Sequence, residues 1–369
     1  VVLSDQPNAA HQDLAAPADR NEPEGRAAPA ALVHDGIITY GSWLGIPGKA
    51  NLIDAARPYH YPLPRFLKRL RMKEWRAIQA GDEKWFLCAV LYDAKFMSMA
   101  SIDIWDRVNK KKYGFRNIFP GSRFSMPNNF DSSETRMNSG SNQLSIGIDQ
   151  KTGILHLKSS ARSHKAGADG FDLNLSFDIS EGACAPFSVC LPFGLNRAMY
   201  STKILMPCSG ILAINGLEHT FDSVSASGAF DDHKGYYPYR LHYDWVTGFG
   251  IDGAGRRIGF NLTDNQVKDQ VRYNENRLWI GNDIYPLPPV KITRPNGKEA
   301  LWNIQDTEGM VDLRFQPEVS HDIQVKLGFA EIDYSGPFGR FEGTLRTTSG
   351  EVINASILYG MGEDKNVRL

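Results

Sequence analysis

Phe171, Leu173, Leu175, Phe177 and Ile179 alternate with Asp172, Asn174, Ser176 and Asp178, the two-residue beat of a strand with one buried face. The same beat runs through Ile323, Val325, Leu327 and Phe329 and through Leu144, Ile146 and Ile148. Turn signals separate such runs: Asp149 to Gly153, Gly281-Asn282-Asp283 and Ser349-Gly350 each join two of them. Strands joined by such short turns pair antiparallel. Only Arg65 to about Lys73 reads as helix, with Pro64 at its start and Phe66 and Leu70 one turn apart. Its cations Arg65, Lys68, Arg69, Arg71 and Lys73 leave two readings, a solvated helix across a sheet end or a weak peripheral contact with a membrane surface. The pattern predicts an all-β protein of barrels or sandwiches. No fixed period points to a propeller or solenoid.

Length divides this β pattern in two. A single core stops growing near roughly 250–300 residues, and the chain has 369. At 42% hydrophobic residues it can fill two cores. Lysine and arginine number 41 against 42 acidic residues, so no field steers the protein toward nucleic acid. Cys88, Cys184, Cys190 and Cys208 show no CxxC spacing and read as reduced thiols. Residues 1–31, rich in Ala, Pro and charge, read as a flexible leader without the apolar run of a signal peptide. No stretch approaches the roughly 18 apolar residues of a transmembrane helix, and a cytoplasmic location is the expectation.

Gly248-Phe249-Gly250-Ile251-Asp252-Gly253 spells GxGxxG, but the following residues alternate like a strand. A dinucleotide site needs a helix there. P-loop, nucleophile-elbow and zincin strings are absent. The histidines lack recognisable zinc spacing, so neither metal nor cofactor is expected.

From Asp231 to Trp245 the chain concentrates titratable and aromatic residues. Read as a strand, 237–245 puts Tyr237, Tyr239, Leu241, Tyr243 and Trp245 on one face and Pro238, Arg240, His242 and Asp244 on the other. The aromatic face suits an apolar ligand, and the polar face suits proton transfer. An ordinary half-buried strand with an Arg240–Asp244 ion pair would look the same.

In order along the chain stand Gly41-Ser42-Trp43, Asn51, Arg57-Pro58-Tyr59, Lys73-Glu74-Trp75, Ile104-Trp105-Asp106-Arg107, Ser201-Thr202-Lys203, Asp231 to Tyr236, Tyr243-Asp244-Trp245, Gly259 to Leu262 and Asn274 to Trp279. Together, from about Leu32 to Leu358, they resemble the family catalogued as domain of unknown function 2804. More distantly, Asp232-His233-Lys234-Gly235 is similar to the central motif of carotenoid 1,2-hydratase-like proteins, which fold as paired lipocalin-like barrels. The resemblance implies two such antiparallel barrels, one over 32–230 and one over 231–369, and a cavity for an apolar or amphipathic small molecule.

The expectation is therefore a ligand-binding β-barrel protein with cofactor-free hydratase, isomerase or cyclase chemistry. Asp232 or Asp244 would be the acid, His233 or His242 the base, and Tyr243 a positioning group. Trp43, Arg57, Lys203, Tyr236, Tyr237, Tyr239, Arg240 and Trp245 complete the candidate ligand contacts. Two alternatives stand beside it: non-catalytic carriage of a lipid or pigment, and carbohydrate processing by paired carboxylates.

Overall fold

A computed structural model describes residues 26–59, 61–162, 170–193, 197–264, 267–328 and 330–368. Most of the expected leader and Phe329 lie outside the described residues. The alternating runs form the strands they predict. Phe171–Asp178 buries Phe171, Leu173, Leu175 and Phe177 and turns Asp172, Asn174 and Asp178 outward. Asn142–Asp149 buries Leu144, Ile146 and Ile148. The helix is Arg65–Arg71, and it buries no side chain: Phe66 and Leu70 are 64% and 53% exposed. Ion pairing of Arg65 with Asp54 and a bond from Lys68 Nζ to the Ala55 carbonyl hold it in place. Among the described residues no helix is long and apolar enough to cross a membrane.

The strands make two large antiparallel sheets, one nearly closed into a barrel and one curled into a half-barrel. The centre of the first sheet is the run Trp85–Asp93, Lys73–Gly81, Ser227–Gly235 and Ala198–Ile214. The second is centred on Arg257–Asp264, Arg240–Ile251, Tyr359–Arg368 and Phe338–Arg346, and the hairpin Asp322–Leu327/Ala330–Ser335 joins it through Tyr359–Arg368. Ser227–Gly235 is bonded on both sides into the first sheet, so the chain crosses between sheets at 236–239, beyond the change of barrel expected near Phe230.

Gly248 and Gly250 belong to the Arg240–Ile251 strand, followed by a turn and another strand instead of a helix. An added Cβ at Gly250 would stand 2.3 Å from the Ile357 carbonyl oxygen. Close backbone approach, and no nucleotide, accounts for that glycine.

Apolar side chains fill three places. One cluster, with Ile78, Leu87, Ile102, Leu157 and Phe230, packs inside the first barrel. A second, around Trp302, Phe315 and Phe341, fills the half-barrel. The third lies between the modules and takes Phe86, Met99 and Met199 from one side and Phe249, Phe338 and Tyr359 from the other. Phe86 alone meets three rings across this seam, at 5.7 Å from Phe249, 4.9 Å from Phe338 and 5.2 Å from Tyr359.

Candidate functional site

Strand parity builds the site. On Ser227–Gly235, Asp231 and His233 point to the outer face of the first barrel, while Phe230, Asp232 and Lys234 point into it. The neighbouring strands repeat the division, because the register sets His233 opposite Trp75 and Ser201, and Asp231 opposite Ala77 and Lys203. Asp232 and Lys234 lie opposite Arg76 and Glu74, and each is bonded to that partner.

The outer face meets the second module around a cavity of about 110 Å3. Trp75, Asp231, His233 and Lys203 come from the first module; Tyr243, Trp245, Glu275, Tyr334, Glu363 and Lys365 come from the second. Tyr237, on the crossing segment, closes the wall between them. The expected hollow within a barrel is thus replaced by one between the modules, since both barrel interiors are occupied by packed side chains. It compares with the cavity of about 150 Å3 that accepts benzene. The nearest match in size is a ligand of a single ring.

Asp231 accepts hydrogen bonds from Ser201 Oγ at 2.8 Å and Trp75 Nε1 at 3.2 Å, and pairs with Lys203 Nζ at 3.2 Å. Burial pushes its carboxyl up, but Lys203, His233 and Ser201 outweigh this and hold it well below the usual carboxylate range. Lys203 also reaches Glu275 at 3.3 Å, a charge link across the seam, and the two carboxylates keep its ammonium charged despite burial. The His233 ring stacks on Trp75 at 3.8 Å, and its Nε2 shares a short hydrogen bond with the Tyr237 hydroxyl. Its Nδ1 is 3.9 Å from Asp231, too long for a hydrogen bond, so the carboxylate acts on the ring through its charge. Burial lowers the imidazole pKa and raises that of the Tyr237 phenol well above normal, leaving both neutral near pH 7.

Of the residues expected from sequence, His233, Tyr237, Tyr243, Trp245 and Lys203 come together at the cavity. The others do not. Asp232 sits inside the first barrel against Arg76, one residue out of phase with the cavity. Asp244 and His242 lie on the opposite face of their strand, where Asp244 pairs with Arg294 at 2.7 Å and His242 is exposed. With Asp364 they form a cluster whose ligand atoms lie within 4.8 Å of one another. Arg294 and Lys298 already answer its carboxylates. Arg240, Arg57 and Tyr239 are exposed, Tyr239 because the strand begins only at Arg240. Trp43 and Tyr236 belong to the first core, Tyr236 edge-on to Tyr59 at 5.6 Å. Sequence reasoning passed over Asp231 as the cavity carboxylate, and missed Trp75, Glu275, Glu363 and Lys365 as wall residues. Trp75 was recoverable once paired with His233, but nothing in the spacing joins 275 or 365 to 233.

Acid should weaken the protein in a defined window. Glu74 is depressed like Asp231: burial opposes its ionisation, and Lys234 and Lys95 prevail. A carboxyl lower in the folded state than its unfolded value near about 4 contributes stability that is full above that value and lost as pH falls through the folded pKa. The urea midpoint is expected to ease below about 6.5, where unfolding lets the neutral, buried His233 take up a proton, and to drop more steeply below about 4, where the depressed carboxylates lose their contribution. Asp231→Asn should shallow that drop; an identical acid limb in the variant would contradict the assignment.

Solved structures share this architecture distantly. Kievitone hydratase from Nectria haematococca aligns at 10% identity with a TM-score of 0.44, covering 80% of this chain and 88% of that one. A candidate AttH from Nitrosomonas europaea aligns at 12% identity and a TM-score of 0.42, covering 80% and 92%. Likeness at this level lends nothing to ligand or reaction. No curated protein matches the sequence. The model of the domain of unknown function DUF2804 matches residues 55–369, and the chain belongs to that family.

Proposed function

We propose that this protein is a cofactor-independent enzyme that moves a proton on a compact apolar or amphipathic molecule, adding water to or removing it from a conjugated double bond. The supporting observation is the Asp231–His233–Tyr237 arrangement on the wall of a ring-lined cavity. A neutral imidazole bonded to a phenol relays a proton either way. In hydration the attacking water gives its proton to the Tyr237 oxygen while the phenolic proton passes to His233 Nε2. The Asp231 charge stabilises the imidazolium so formed. The same relay then returns a proton to the adjacent carbon, so one water is added and the groups are restored. Lys203 keeps Asp231 ionised throughout.

The test is a panel of single-ring conjugated alkenes and carbonyls incubated in water enriched in oxygen-18, with mass spectrometric detection of label in product. On a substrate so identified, Tyr237→Phe and His233→Asn are expected to lower turnover about 10²–10⁴-fold. Unchanged turnover in both would end this reading.

Carriage without chemistry has one observation in its favour. Met97, Met99, Met199 and Met361 line the cavity, and methionine adapts to varied apolar guests. Native mass spectrometry showing a bound molecule that survives incubation unchanged would favour carriage. The carbohydrate alternative finds less support: Asp231 and Glu275 are both tied to Lys203, and Asp231 is driven away from the raised pKa that an acid catalyst needs.

A further inference from the structure

Lys365 lies apart from the Asp231–His233–Tyr237 group but on the same cavity. Its Nζ stands 4.8 Å from the ring centre of Trp75, 5.4 Å from Tyr92, 5.3 Å from Tyr243 and 5.9 Å from Tyr334. It donates one hydrogen bond, to the Tyr243 hydroxyl at 3.1 Å. Among the described residues no carboxylate lies within 4 Å of it; Glu363, two positions back on the same strand face, accepts instead from the Tyr334 hydroxyl at 2.6 Å. Its side chain is half-buried and lines that cavity.

We propose that Lys365 is a carbonyl-reactive amine that forms an imine with a small aromatic aldehyde or ketone held in the cavity between the modules. Three features support it. An ammonium enclosed by rings, with no close counter-ion, is costly, and burial accordingly lowers the pKa of this amine, although Glu363 and Asp231 oppose the fall. A lysine desolvated in this way is an activated nucleophile. The ring faces attract a cation and so hold the broad, weakly hydrated iminium once it forms, and the more distant carboxylates Glu363 and Asp231 supply its counter-charge. In the reaction the amine adds to the carbonyl carbon and its proton passes to the carbonyl oxygen. The carbinolamine then loses that oxygen as water, with the Tyr243 hydroxyl placed to donate a proton to it, and the carbon–nitrogen double bond forms. Amine and aldehyde thus give imine and one water. Tyr243 recovers its proton from the iminium nitrogen, and when the nitrogen keeps it, one proton is taken up from solvent and the product is the iminium.

This inference stands apart from the hydration reading, and its test uses benzaldehyde, a single-ring aldehyde that offers no conjugated carbon to a thiol. The full-length protein is treated with equimolar benzaldehyde and cyanoborohydride at pH 7, then mapped by peptide mass spectrometry. Near a normal lysine pKa of about 10.4, fewer than roughly one amine in a thousand is free at pH 7, so Lys365 is expected to carry the benzyl group at roughly ten times the mean occupancy of exposed lysines or more. Lys365→Met and Lys365→Arg should both lose this fraction while exposed background labelling stays the same. The arginine variant keeps charge and bulk, and answers the question if the methionine variant fails to fold. Labelling of Lys365 no higher than that of exposed lysines, or undiminished total labelling in the arginine variant, overturns the proposal. So does benzoate binding that needs Lys365 when benzaldehyde leaves no adduct there, which would make the residue an anchor for anions.

Discussion

Asp232→Ala is expected to destabilise the protein by about 3–5 kcal/mol, measured as a fall in the urea midpoint with little change in slope. Arg76 and Asp232 sit inside the first barrel with side chains 0% and 3% exposed, joined at 2.7 Å between Nε and Oδ1. Removing the carboxylate strands a guanidinium whose other neighbours are the Ser133 hydroxyl and the Phe130 ring. Uncompensated buried charge, more than the lost bond, carries the cost. Arg76→Met combined with Asp232→Ala should therefore recover most of the loss. A double variant no better than the single one would show that packing, and not charge, sets the penalty. The same experiment separates the adjacent aspartates: turnover per folded molecule should survive in Asp232→Ala and fall in Asp231→Asn.

Phe86→Ala is expected to cost a similar 3–5 kcal/mol and to split the unfolding endotherm in two. Phe86 is 1% exposed, and its ring partners Phe249, Phe338 and Tyr359 all belong to the other module. Truncation leaves a void on the seam, whereas each module retains its own core. Calorimetry showing one sharp transition at a lower temperature would mean that the modules unfold as a unit even without this contact.

How much of this could be read beforehand depended on the range of the signal. Period two is local, so Phe171–Asp178 and Asn142–Asp149 were legible, and so was the division of Leu241, Tyr243 and Trp245 from His242 and Asp244. Phase is not local. Which of Asp231 and Asp232 meets the cavity depends on the face that Lys73–Gly81 and Ala198–Ile214 present, and those partners lie well away in sequence. Tyr239 failed for another reason: the aromatic run was extended back across the crossing segment, where alternation has no meaning. The placing of the hollow between the modules was beyond reach, because apolar outward positions on a barrel strand look the same whether they meet a second module, a membrane or a partner. Lys365 marks the limit, as one lysine near the end of the chain that only the assembled seam surrounds with rings.

Lys203 holds Asp231 in one module and Glu275 in the other with a single ammonium. The electrostatics beside His233 are therefore geared to the fit of the two halves. Slippage of a fraction of an ångström redistributes that shared charge, and a substitution remote from every reacting atom can retune the imidazole.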